Sequence, residues 1–156
     1  MPDAHGVRLA DGSGASVIEV LLVDDSPLVR EGLRQFLDGE DGVHVVGTCA
    51  DGSELVAAVR RWAPDVVVLD LAMPGLDGFA AATALRAAGS SVPLVALSGQ
   101  PLGDAVLRAR DAGFAGYLEK SQPPADVAAA VRRAATGEAA WSARARRVLD
   151  RDERSA

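Results

Sequence analysis

The stretch "VVVLDLAMPGLDG", residues 66–78, decides the fold. Its first four residues are apolar and mostly β-branched, with no polar alternation, which marks a strand buried on both faces. Asp70 closes that run, and a Pro-Gly turn follows at Pro74-Gly75. A carboxylate therefore stands where a buried strand should end, as a cap, a ligand or a nucleophile. The other strands and helices of the chain narrow the choice.

The pattern around this stretch repeats along the chain. "VIEVLLV" (17–23) is a strand ending at Asp24-Asp25, and Ser26-Pro27 then reads as an N-cap with proline at the first helical position. The helix that follows runs to about Leu37, with Leu28, Val29, Leu33 and Phe36 at helical spacing. Strands are expected at 43–50, 65–70, 92–98 and 114–120, and helices at 52–62, 78–88, 102–113 and 124–137. Pro64 stops the second helix and glycines end the last two. Five strands alternating with five helices predict an α/β fold with a doubly wound parallel sheet. Residues 1–16 have no periodicity and read as a disordered leader, residues 17–137 form the domain, and 138–156 are a linker or one more helix.

Composition narrows the function. The chain has 156 residues, enough for one domain, and its net charge of −6 argues against a general nucleic-acid surface. No apolar run approaches the roughly 20 residues that span a bilayer, and the N-terminus lacks a signal-peptide pattern, so no membrane partner is expected. Cys49 is the only cysteine, which excludes an internal disulfide and suits a cytoplasmic location. The two histidines, His5 and His44, have no partners at zinc spacing. Fifteen arginines stand against a single lysine, Lys120, which suggests that this position needs a compact ammonium.

In open α/β sheets, ligands bind beyond the carboxyl ends of the strands. At those ends lie Asp24 and Asp25 from the first strand, Asp70 from the third, Ser98 from the fourth and Lys120 from the fifth. Carboxylates brought this close repel by about 4 kcal/mol per pair at 4 Å with an effective dielectric near 20. Either one is protonated or a hard cation sits among them, and few oxygen ligands with several waters suit Mg2+. A metal, an ammonium and a hydroxyl around a carboxylate can stabilise three phosphoryl oxygens, with the carboxylate as nucleophile.

With these residues in place, the chain resembles the receiver domain of bacterial two-component response regulators over residues 17–137. The resemblance rests on "VDD" (23–25), "LDLAMPGLDG" (69–78), "ALSG" (96–99) and "GYLEK" (116–120), in this order. It implies a flavodoxin-like (βα)5 fold with strand order 2-1-3-4-5, and a signalling protein rather than a turnover enzyme. It also implies that Asp70 accepts the phosphoryl group, that Asp24, Asp25, Asp70 and the Ala72 backbone carbonyl hold Mg2+, and that Ser98 and Lys120 complete the site. Ser98 and Tyr117 would form the switch, Tyr117 turning inward when the hydroxyl moves. Ala72 and Gln100 occupy the two positions that set the lifetime of the phosphoryl group in the family.

The implied donor is a sensor histidine kinase or a phosphotransfer protein. A homodimer is expected through the face of the fourth helix, fifth strand and fifth helix, or through the first and fifth helices. Two other readings compete. A phosphatase of the haloacid dehalogenase type needs a second aspartate two residues after the nucleophile, where Ala72 stands. A stand-alone docking or pseudo-receiver module would act without phosphorylation. "GEAAWSARARRVL" (137–149) is similar to the segment that leads into a helix-turn-helix in regulators of the NarL/FixJ type. Nucleic acid and transcription regulation are thus expected only through a domain absent from this chain, which is a natural stand-alone receiver or one detached at the linker. The mixed charges of the tail predict a solvated helix.

Overall fold

The structure, a computed structural model, describes residues 8–9, 16–73, 75–99 and 102–155. Pro74, Gln100 and most of the expected leader lie outside the described residues. Six strands lie in order along the chain: β1 Ser16–Val23, β2 Val43–Cys49, β3 Val66–Asp70, β4 Leu94–Ser98, β5 Gly116–Glu119 and β6 Ala140–Trp141. They pair in parallel in the order β2-β1-β3-β4-β5-β6, so the expected 2-1-3-4-5 sheet is present and extended by one strand. Within the expected leader, Arg8–Leu9 pairs antiparallel with Val17 and Ser16.

Alternation along each strand sends neighbouring residues to opposite faces of the sheet. Val20, Leu22, Val66, Val68, Val95, Leu97 and Leu118 pack with α1 (Pro27–Asp38) and α5 (Pro124–Ala135). Leu21, Val23, Val67, Leu69, Leu94 and Ala96 pack with α2 (Leu55–Trp62), α3 (Gly78–Ala87) and α4 (Leu102–Asp111). Every residue of β3 and β4 is buried, the expected consequence of covering both faces.

Local chemistry sets the helix starts. The Ser26 hydroxyl accepts from the Val29 N–H at 3.3 Å and Pro27 opens α1. Asp77 caps α3 by accepting from the Ala80 N–H at 2.9 Å. The expected 52–62 helix divides, because Asp51 accepts from the Ser53 N–H at 2.8 Å and tightens Gly52–Glu54 into a 3-10 turn before α2. Gly47 accommodates Trp62, whose ring carbon Cε3 would lie 2.6 Å from a Cβ at that position.

The segment after Gly137 differs most from expectation. Gly137 takes a left-handed conformation (φ 83°), ending α5, and the chain turns back to add β6 beside β5. Ser142 then caps α6 (Ala143–Ser155), accepting from the Ala145 N–H at 3.0 Å. One face of α6 is not solvated: Ala145 and Leu149 are buried in the core, and Arg110 of α4 pairs with Asp152 at 2.8 Å. The sequence signal was weak because β6 has two residues and its pairing is decided by β5.

Gly116 permits this close approach. A Cβ there would fall on the Ala140 carbonyl oxygen and lie 2.7 Å from the Ala140 Cβ. Gly116→Ala is therefore expected to cost about 2 kcal/mol through overpacking. Denaturant unfolding measures that cost, and faster amide exchange at Ser142, whose N–H donates to the Tyr117 carbonyl at 2.9 Å, locates it.

Candidate functional site

The carboxyl edge of the sheet brings the expected residues together. Asp70 is the last residue of β3 and Ser98 the last of β4, while Asp24 and Asp25 follow β1 and Lys120 follows β5. Parallel register sets this convergence, because Asp70 stands level with Leu97 and Ser98 with Glu119. The Lys120 N–H donates to the Ser98 carbonyl at 2.8 Å, one step beyond the ladder. Gly78 lets α3 start against the end of β3: a Cβ there would strike the Asp70 carbonyl and lie 2.7 Å from the Leu71 Cα.

Asp70 is buried, with its side chain fully enclosed. Its Oδ1 accepts from the Ala72 N–H at 3.0 Å, and its Oδ2 accepts from the Lys120 ammonium at 3.1 Å. Lys120 Nζ also lies 3.1 Å from Asp24 Oδ2. Asp24 is held by its other groups, Oδ1 accepting from the Ser26 N–H at 2.8 Å and the carbonyl accepting from Arg30 Nη1 at 2.7 Å. Its Oδ2 is buried and has the Lys120 ion pair beside it but no well-formed hydrogen bond. A buried carboxylate oxygen with lone pairs left over is a candidate cation ligand.

One carboxylate oxygen from each of Asp24, Asp25 and Asp70 lies within 4.8 Å of the others. Asp25 is exposed and the other two are buried, leaving the cluster open on one side. Hard oxygen donors, one of them without a well-formed hydrogen bond, fit a small divalent cation such as Mg2+. The structure thus places all three expected acidic ligands together; for Ala72 it shows the N–H on Asp70.

Burial pushes the Asp70 carboxyl up to about 6, opposed by the Ala72 N–H, reinforced by the Asp24 charge and opposed again by Lys120. Burial pulls the Lys120 ammonium down, but hydrogen bonds and charge from Asp24 and Asp70 outweigh it and hold Lys120 above its usual range. At neutral pH the Asp70 carboxyl is therefore still largely ionised, beside an ammonium that keeps its proton.

Tyr117 is fully buried on the side of β5 that faces α4 and α6. Burial pushes its phenol up, and the neighbouring Ser98 hydroxyl partly opposes this. The phenol makes no well-formed hydrogen bond. Two residues on, Glu119 points to the same side of the sheet, is 8% exposed, and has an unpartnered Oε2. A cavity of about 450 Å³ opens there, lined by Ser98, Gly99, Glu119, Lys120 and Arg144 among others. Arg30 and Arg144 were not foreseen at this edge, since no motif relates them to it. Cys49 is buried in the core, its thiol pushed up to about 11 by burial.

Comparison with known proteins agrees with this geometry. The profile described as the response regulator receiver domain matches residues 20–132. The chain is 37% identical over 122 residues to the transcriptional regulatory protein LiaR of Bacillus subtilis (strain 168), covering 78% of this chain and 58% of that protein. It is 35% identical over 135 residues to the nitrate/nitrite response regulator protein NarP of Escherichia coli (strain K12), covering 86% and 63%. The chain thus spans about three fifths of the length of these curated relatives. Among solved structures, a LuxR-family two-component response regulator from Aurantimonas sp. SI85-9A1 superposes with a TM-score of 0.80 at 30% identity, covering 90% of this chain and all (100%) of that one. The receiver domain of the response regulator NarL from Mycobacterium tuberculosis superposes with a TM-score of 0.74 at 33% identity, covering 78% and 98%. On the fold, the convergent edge and these matches, the chain belongs to the response regulator receiver family.

Proposed function

We propose that Asp70 takes a phosphoryl group from a sensor histidine kinase or a phosphotransfer protein and that the change is passed to the surface around Tyr117. The observation that carries this reading is Lys120 Nζ at 3.1 Å from both Asp70 Oδ2 and Asp24 Oδ2, at the open edge of the sheet. In the transfer, an Asp70 carboxylate oxygen forms a bond to phosphorus as the phosphorus–nitrogen bond of a phosphohistidine breaks, and the bonding pair returns to the imidazole. Lys120 offers its ammonium protons to the phosphoryl oxygens, and Ser98 its hydroxyl. Asp24, Asp25, Asp70 and the Ala72 carbonyl would hold Mg2+. When bound, Mg2+ neutralises the acidic cluster and withdraws charge from the phosphoryl oxygens.

Leu28, 85% exposed, rims an apolar groove of about 230 Å³ between α1 and the start of α5, and is a suitable contact for the donor protein. β6 pairs with β5 and α6 packs on α4, so a homodimer through that face would have to include or displace the tail. The α1–α5 surface is the simpler dimer face. Transcription regulation, in the cytoplasm and through a DNA-binding domain not within this chain, is proposed from the names of relatives such as LiaR.

The test is incubation with acetyl phosphate and Mg2+. An acid-stable, base-labile phosphoryl label at a single site is expected. No label with either acetyl phosphate or a phosphorylated histidine kinase would overturn the reading and favour a docking module that acts without phosphate.

A further inference from the structure

We propose that Arg144, on the C-terminal helix, reads the phosphoryl group on Asp70 and thereby ties α6 to the state of the acceptor. This rests on Asp70 being the acceptor and adds a residue outside the matched family segment, which ends at residue 132. Four observations support it. Arg144 lines the same cavity of about 450 Å³ as Ser98 and Lys120, beside the acceptor edge. It makes no hydrogen bond or ion pair among the described residues, although Arg30, Arg34, Arg86, Arg110 and Arg132 do. It stands in the first turn of α6, where the helix dipole disfavours a cation, so the helix itself does not account for it. Finally, Glu119 faces the cavity with a buried, unpartnered Oε2.

These features describe a guanidinium with two alternative partners. Without a phosphoryl group, the Glu119 carboxylate is the anion within the cavity that can attract it. A phosphoryl group on Asp70 adds a stronger one, with more charge and three acceptor oxygens. The position of Arg144 relative to the sheet is held from both sides: Ser142 N–H donates to the Tyr117 carbonyl at 2.9 Å, and Asp152 pairs with Arg110 of α4. A pull on Arg144 therefore acts on the start of α6 and on β6, next to Tyr117.

The experiment measures binding of beryllofluoride, a phosphoryl mimic, in Mg2+ by calorimetry, together with the half-life of the phosphorylated protein and amide exchange along α6. For Arg144→Ala, affinity is expected to fall roughly fivefold and the half-life to shorten, with part of both restored in Arg144→Lys. Glu119→Gln is expected to raise affinity, because it removes the competing carboxylate. In the wild type the mimic should slow exchange at the start of α6, and in Arg144→Ala it should not. High salt should shrink the difference between wild type and Arg144→Ala. Equal affinity, half-life and exchange response in Arg144→Ala and wild type would overturn the inference while leaving phosphorylation of Asp70 intact. A wild type that binds no mimic and takes no label would instead overturn the proposed function.

Discussion

Asp70→Asn is expected to abolish phosphoryl labelling while making the cation-free protein more stable. The amide oxygen can still accept from the Ala72 N–H, so the turn after β3 is preserved. The proposed nucleophile is gone, and no base-labile label should form. The gain in stability follows from the raised Asp70 carboxyl, which titrates at about 6 in the folded chain against an ordinary value of 3.8. Between those two values the folded state holds a proton that the unfolded state has released, so stability falls as pH rises. The contribution is fully present below pH 3.8 and lost as pH passes about 6, a swing of up to about 3 kcal/mol. Asparagine has no such titration, so its denaturation free energy should be flatter across that window and exceed the wild type's by about 1 kcal/mol at neutral pH. Mg2+ should stabilise the wild type and have a much smaller effect on the variant. A retained label would remove Asp70 from its role, and parallel pH curves would contradict its buried charge.

Lys120→Ala is expected to disable the site through two effects at once. The ammonium lies between two buried carboxylates, 3.1 Å from each, and its own side chain is only 26% exposed. Without it Asp24 and Asp70 face each other with no compensating charge. Removing one partner of a buried pair costs about 3 kcal/mol, and here the partial exposure of Lys120 brings that nearer 2. Chemically, the phosphoryl oxygens lose a preorganised donor, which is worth on the order of 100-fold in rate. Labelling by acetyl phosphate should fall by about that factor, and denaturation at neutral pH should show the stability loss, partly recovered by Mg2+. Lys120→Arg should recover more stability than labelling, because a planar fork cannot occupy the place of a compact ammonium between two acids. Labelling at the wild-type rate in Lys120→Ala would exclude the lysine from the chemistry.

Much of this site is legible because each of its groups is tied to a strand end. "VVVLD" states in five letters that a two-sided strand stops at Asp70. "VIEVLLVDD" and "GYLEK" say the same of Asp24, Asp25 and Lys120, and a parallel sheet then sends all of them to one edge. The single lysine that stands out among fifteen arginines lies between Asp24 and Asp70. Element boundaries were less legible where side chains compete with the backbone, as at Asp51, which turns the first residues of the expected second helix into a 3-10 turn.

The sequence by itself determined the alternation of strands and helices, the two-sided burial of the sheet and the gathering of acids, hydroxyl and lysine at its carboxyl edge. Those properties follow from local patterns that repeat with each βα unit. Only the tertiary structure decided that residues 140–155 return to the sheet, and that Glu119 and Arg144 share a cavity with Ser98 and Lys120. Two residues of strand and a charged helix carry little signal alone. Their placement comes from the vacant edge of β5, the clearance above Gly116 and the pairing of Arg110 with Asp152, contacts that exist only once the sheet has formed.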